Sequence, residues 1–335
     1  MQEKVSNNDL EDPVNSPLKK KNKSQGPKAD GVKRLMVLFM GEKIPENYAN
    51  VKKIIDCLGL RDYASLDTTF SSDLKLINIL LGMQAHSCAH ACAYCNIRTR
   101  GEGAYDETLR QIQTRTFGSL QTDYNNFVVN GSKIKDAKKY YNVVHEPMLK
   151  PNADDFSLNQ PILHKIPPPE LHLFEGNMNH IIDALSKKVD DLKEQGRVRK
   201  TLYRFLWEPP ICIVKKDYHG GKLDGPNCNK ILEDNVLQQL ADFLPQEEEF
   251  QQYVVTLKAM RNLKKSCFSS KKLDTSIGAS FEYKWKEHHQ KFVDAYSGLN
   301  LGKFPKFHIV EKHVPEFINW QGHGLGRYSE VFFWF

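Results

Sequence analysis

Three cysteines and two histidines crowd together at His86, Cys88, His90, Cys92 and Cys95, in and beside the stretch SCAHACAYCN. Within it, Cys92-Ala93-Tyr94-Cys95 is a C-x2-C knuckle, the spacing at which two thiolates grip one zinc ion at a tetrahedral angle. Two more ligands are needed. His308 and His313, in KFHIVEKHVPEF, form an H-x4-H pair inside the spacing range of structural zinc sites. Five residues turn a side chain by about 140° on an ideal helix, so both rings face one ion only where the helix is distorted. Pro315 offers that distortion, because its ring crowds the carbonyl of Glu311, between the two histidines. The plainer alternatives are that Cys92 and Cys95 are buried small hydrophobes and that His308 and His313 are surface or hydrogen-bonded side chains. A rival local ligand set joins Cys88 to His86 or His90, and is so compressed that some members must point away from any ion.

Asp73 is the second candidate. An aspartate at a helix start can simply favour the helix dipole. The chemical alternative is a hard oxygen ligand for Mg²⁺, one of several converging carboxylates in a nucleotidyl-transfer site. Asp62 and Asp67 are equally available on composition alone. The chain has no G-x-x-x-x-G-K-[ST] phosphate loop, G-x-G-x-x-G fingerprint or H-E-x-x-H motif, which removes the usual NTPase, dinucleotide and metalloprotease readings.

The elements that must position these groups follow from periodicity. Lys+Arg 47 against Asp+Glu 41 gives a net charge of +6 over 335 residues, and 40% are hydrophobic, the balance of a soluble globular chain. No apolar run approaches the ~18 residues of a membrane span, and the N-terminus has no apolar core of the kind a secretory signal needs. A reducing interior and no membrane are therefore expected. Residues 1–32 read as a disordered basic tail. Its run Lys19, Lys20, Lys21, Lys23 is either a nuclear or nucleic-acid signal or a solvated charge run. From there RLMVLFM predicts a buried strand, Pro45 to Leu58 a helix and SLDTTF a short strand. Ser71 or Ser72 then caps a helix from Asp73 to Met83. Strand, helix, strand, helix is a piece of an α/β sheet, with Asp73 near a strand's carboxyl end. Beyond Arg100 helices are predicted at Asp106 to Phe117, Lys133 to Tyr141, Glu170 to Leu192, Pro226 to Leu244, Gln246 to Ser266 and Ile277 to Tyr296. Lys258, Arg261, Lys264, Lys265, Lys271 and Lys272 are read either as a nucleic-acid face or as a solvated helix end.

Three blocks in order, DLKLINILLGMQAHSCAHACAYC, PPPELHLFEGNMNHIIDAL and FHIVEKHVPEFINWQGHGLGRYSE, resemble the core of the recombination-activating recombinase and of Transib-like DDE transposases. The resemblance implies an RNase H-like fold interrupted by a large helical insertion, with structural Zn²⁺ held by Cys92, Cys95, His308 and His313. Asp73, nineteen residues before Cys92, matches the family's second catalytic aspartate, and His172 is placed close to the active site. The family's first aspartate has no counterpart, since only polar tail precedes Arg34. Its last acid has Glu330 as nearest match, just before the chain ends in VFFWF.

The expectation is thus an α/β chain with a partial RNase H-like sheet. Residues 33–104 form the sheet region carrying the zinc cysteines, 105–300 the helical insertion, and 301–335 a truncated C-terminal segment carrying the zinc histidines. The implied chemistry is DNA cleavage and strand transfer by Mg²⁺ or Mn²⁺ between carboxylates, here Asp73 and Glu330. With a leg of that site missing, the chain is expected to be inactive alone. DNA is the expected partner, a homodimer is kept open, and the nucleus is the expected location. The competing reading is a non-enzymatic, zinc-organised DNA- or protein-binding module.

Overall fold

The longest amphipathic stretch of the sequence becomes the centre of the molecule. In the computed structural model of the chain, residues 45–57, 59, 69–84, 87–108, 112–149, 156–216, 220–273 and 282–328 are described. Helix α4, Glu170–Glu194, buries Leu173, Phe174, Met178, Ile181, Ile182, Leu185, Val189 and Leu192, a stripe at spacings of three and four. Before it come α1 (Tyr48–Cys57), α2 (Leu74–Leu80) and α3 (Phe117–Val129). After it come α5 (Leu202–Trp207), α6 (Gly225–Ile231), α7 (Asp234–Phe243), α8 (Glu248–Ser266) and α9 (Glu282–Gly298). The described chain ends in α10 (Pro305–His308), a π-helical turn (Ile309–His313) and α11 (Val314–Gln321), followed by a short 3₁₀ turn.

α5, α6, α8 and α10 all pack on α4. α8 and α9 pack antiparallel. Gln252 and Thr256 of α8 donate to the Ala295 carbonyl at 2.9 and 3.0 Å, while Cys267, just past the end of α8, lies beside Trp285 near the start of α9. Gly176 on α4 meets the stem of Lys306 where a Cβ would stand, so this glycine lets α10 come close to α4. One continuous core draws on Val51, Cys92, Cys95, Phe174, Leu257, Phe292, Phe307 and Phe317.

The expected RNase H-like sheet is corrected by this structure. The chain is mostly helical, and among the described residues extended pairing is limited to isolated antiparallel bridges such as Met83 with Val143 and Cys95 with Thr114. The strand expected at RLMVLFM, most of the one at SLDTTF, the basic tail and Glu330 all lie outside the described residues. An apolar run of strand length does not carry its partner strand with it.

Helix boundaries moved for local reasons. The helix expected over Asp106 to Phe117 begins instead at Phe117. Thr116 accepts from the Ser119 amide at 3.0 Å, and the Ser119 hydroxyl accepts from the Thr116 amide at 3.0 Å, a reciprocal cap that fixes the start. α2 stops at Leu80 rather than Met83, with Gly82 at φ 70° and the His145 carbonyl where its Cβ would stand. The single helix expected from Pro226 to Leu244 is two, α6 and α7, broken at Leu232 and Glu233.

Candidate metal centre

Cys92 and Cys95 sit on an irregular loop that has almost no exposure: both are at 1% or less, as are Ala93 and Tyr94 between them. What shapes the loop is Arg115, itself 2% exposed. Its Nε donates to the carbonyls of Cys92 (3.1 Å) and Cys95 (3.0 Å), and Nη2 to those of His90 (3.4 Å) and Tyr141 (3.1 Å). The Arg115 amide also donates to the Tyr94 carbonyl at 2.8 Å. A buried loop must pair its backbone groups somewhere, and here one guanidinium supplies most of the donors.

The histidines come from the other end of the described chain. His308 closes α10 and His313 closes the π-helical turn. That turn is the distortion the five-residue spacing requires. In it the Val314 amide donates to Ile309, five residues back rather than four, and the wider turn lets positions 308 and 313 share a face. Pro315 follows directly.

The structure brings all four residues together. One ligand atom from each of Cys92, Cys95, His308 and His313 lies within 4.8 Å of every other, and all four residues are buried. Cys95 Sγ and His308 Nε2 are 3.3 Å apart. A tetrahedral ion with bonds of about 2.0–2.3 Å needs ligand atoms about 3.3–3.8 Å apart, so only small movements would seat one. His313 Nδ1 lies 3.1 Å from Glu316 Oε2, which fixes the ring and leaves the buried Nε2 without a hydrogen bond. A carboxylate behind a histidine in this way orients it as a ligand and raises its basicity. Tyr94 and Tyr105 flank His313 and His308, with ring centroids 5.4 and 5.8 Å away.

The electrostatics suit a cation. Burial alone would push the Cys92 thiol up, but the hydrogen bond with Cys95 and the imidazoles of His313 and His308 more than offset it, and its pKa falls well below the ordinary thiol value. Cys95 moves the other way, through its hydrogen bond to Cys92, burial and the Cys92 charge. The two thiols therefore behave as one pair holding one proton. His313, lowered by burial but raised more by the Cys92 thiolate and Glu316, stands at about 9. Two thiolates and two neutral imidazoles would neutralise a divalent ion, and this buried Cys2His2 cluster could hold a metal such as zinc.

No protein-family model matches the chain. No curated protein matches its sequence either. The site must be read from its own geometry.

The rival ligands go elsewhere. His90 donates through Nδ1 to the Asn96 carbonyl at 2.9 Å, and Cys88, its thiol pushed up by burial, lies 4.0 Å from the Gln84 carbonyl. His86 lies outside the described residues, as do Asp62 and Asp67. Among the described residues no other group of three His, Cys, Asp or Glu ligand atoms converges as these four do.

Asp73 is the N-cap of α2 in place of the expected Ser71 or Ser72: its carboxylate accepts from the Leu76 amide at 2.7 Å. Ser71 instead donates to the Tyr328 carbonyl at 2.7 Å. Asp73 also lines a cleft of about 660 Å³ with His172, Glu175, Asp183, Lys222 and Lys306. The cap has a testable cost. Asp73→Ala should lower stability by about 1 kcal/mol in denaturant unfolding, while Asp73→Asn, an equally good cap, should stay within a few tenths. Equal losses from both would show that the charge, not the cap, matters.

Arg115 and Glu316 were not legible as site residues. Glu316 had a signal, a carboxylate three positions after a candidate ligand on a helix. Arg115 had none, because its partners are backbone carbonyls that a sequence does not place.

Proposed function

We propose that this chain is a zinc-organised helical module of DDE-recombinase or transposase descent, one that engages DNA and does not cleave it alone. The observation that carries the reading is the convergence of Cys92, Cys95, His308 and His313. Zinc is the ion chosen because a buried S2N2 set favours a tetrahedral, redox-inert ion, and four protein ligands leave no position for a substrate. The ion's part is therefore structural: it ties a loop to a helix that lies 213 residues away along the chain.

Descent from the recombinase family is supported by the three ordered sequence blocks and by the pairing of a cysteine knuckle with a distant histidine pair. The lack of cleavage is supported by the role of Asp73. One oxygen of its carboxylate, Oδ1, caps α2, and among the described residues no converging group of three His, Cys, Asp or Glu side chains includes it. Two-metal phosphoryl chemistry needs acids converging on ions about 4 Å apart. DNA contact falls to the exposed Lys258 and Lys265 of α8 and to Lys271 and Lys272 just beyond it. Arg261 is paired with Asp234, and Lys264 lies over the Phe174 ring at 3.8 Å.

The test has three arms. Purified protein should carry about one zinc per chain by elemental analysis, and should shift duplex DNA in a salt-sensitive, sequence-independent way. With Mg²⁺ or Mn²⁺ it should leave supercoiled plasmid intact. Nicking that disappears in Asp73→Ala would overturn the non-catalytic reading.

A further inference from the structure

The five-residue spacing of His308 and His313 works only because of the π-helical turn, and that turn leaves one backbone group unpaired. The Val314 amide donates to Ile309, so it is not available to Val310, its partner in an ordinary helix. In the wider register the Val310 carbonyl would accept from residue 315. Residue 315 is proline and has no N–H. Val310 is wholly buried, so no water stands ready to take the place of that donor.

A side chain from another helix does. His289 of α9, 7% exposed, places Nε2 2.8 Å from the Val310 carbonyl oxygen. A carbonyl only accepts, so Nε2 carries the hydrogen. Burial lowers the pKa of this imidazole, in keeping with a neutral ring.

We propose that His289 is a positioning residue of the metal centre: it supplies the hydrogen bond that Pro315 cannot, and so holds the π-helical turn that aims His308 and His313 at one ion. The inference rests on the metal-centre reading given above. Its hydrogen bond goes to the Val310 carbonyl and not to a ligand side chain. It acts through the backbone of the turn, and it couples the α8–α9 pair to the centre.

The experiment uses the full chain, with Zn²⁺ affinity measured against a competing chelator and the ligand-field absorption of bound Co²⁺ as a report of tetrahedral geometry. Removing a group that orients a metal ligand commonly weakens binding by about 10–100-fold, and His289→Leu should do so and alter the Co²⁺ spectrum. His289→Gln, whose amide can reach the same carbonyl, should stay close to wild type. The decisive variant is His289→Leu combined with Pro315→Ala. Alanine restores an N–H at position 315, and the double variant should recover most of the lost affinity. Affinity and spectrum unchanged in His289→Leu would overturn the proposal, and so would a loss that Pro315→Ala fails to rescue, since a general packing defect in α9 would not respond to a donor at 315. Failure of the wild-type chain to bind metal would remove the centre itself, and the proposal with it.

Discussion

Stripping the metal is expected to unfold the helical body, not merely loosen one loop. The two ligand pairs are 213 residues apart, and a cross-link over so long a stretch removes much of the unfolded chain's freedom. Metal-binding free energy at a structural zinc site is also folding free energy. Together these give a loss on the order of 5–10 kcal/mol, comparable with the whole stability of a typical domain. Thermal melts followed by circular dichroism, with and without a strong chelator, should show a cooperative transition that collapses on chelation and returns with Zn²⁺. Cys95→Ala and His308→Ala should behave like the chelated protein. The pH dependence has a definite sign. Cys95 is raised above the ordinary thiol value and His313 to about 9, so at neutral pH protons compete for both. Metal uptake releases those protons, affinity falls as the medium becomes more acid, and less chelator should then be needed. A melt that ignores chelator at every pH would show that the four side chains hold no structural ion.

Arg115→Met is expected to cost about 3–5 kcal/mol, the second largest effect, because it leaves the carbonyls of Cys92, Cys95, His90 and Tyr141 buried without their donor. The substitution keeps the length and apolar bulk of the side chain, so the loss reports the hydrogen bonds. Arg115→Lys should also be costly, since a single ammonium cannot reproduce the two separate donors, Nε and Nη2, that serve these carbonyls. Denaturant unfolding of the zinc-loaded protein measures both. A loss under about 1 kcal/mol for Arg115→Met would mean that water satisfies those carbonyls and that the clamp is incidental.

How much of this could be read in advance depended on whether the information was local. The Cys92–Cys95 and His308–His313 pairs declared themselves by spacing, and Pro315 announced the helix distortion between the histidines. The stripes of α4 and α8 were legible for the same reason, since apolar residues at three and four positions are a property of a single segment. The sheet was not. RLMVLFM and SLDTTF have strand-like composition, but pairing is a relation between segments, and the described chain is helical with isolated bridges. Arg115, Glu316 and His289 act on groups supplied by other elements or by the backbone. The start of α3 at Phe117 was missed because Ser119 is an uncommon partner for Thr116 in a reciprocal cap, where glutamate or glutamine is usual.

The wide separation of the two half-sites also orders events during synthesis. At about 5–20 residues per second the ribosome makes Cys95 about 10–40 s before His308. Over that interval a nascent chain presents Cys92 and Cys95 without the two histidines that complete their site, exposed to oxidation and to other soft ions. The ion finds its full set of ligands only after α4, α8 and α9 have already emerged. In this protein the metal is therefore the closing step of assembly: the helices are all made before the last two ligands appear, and they hold together as a stable body only once the ion joins its two ends.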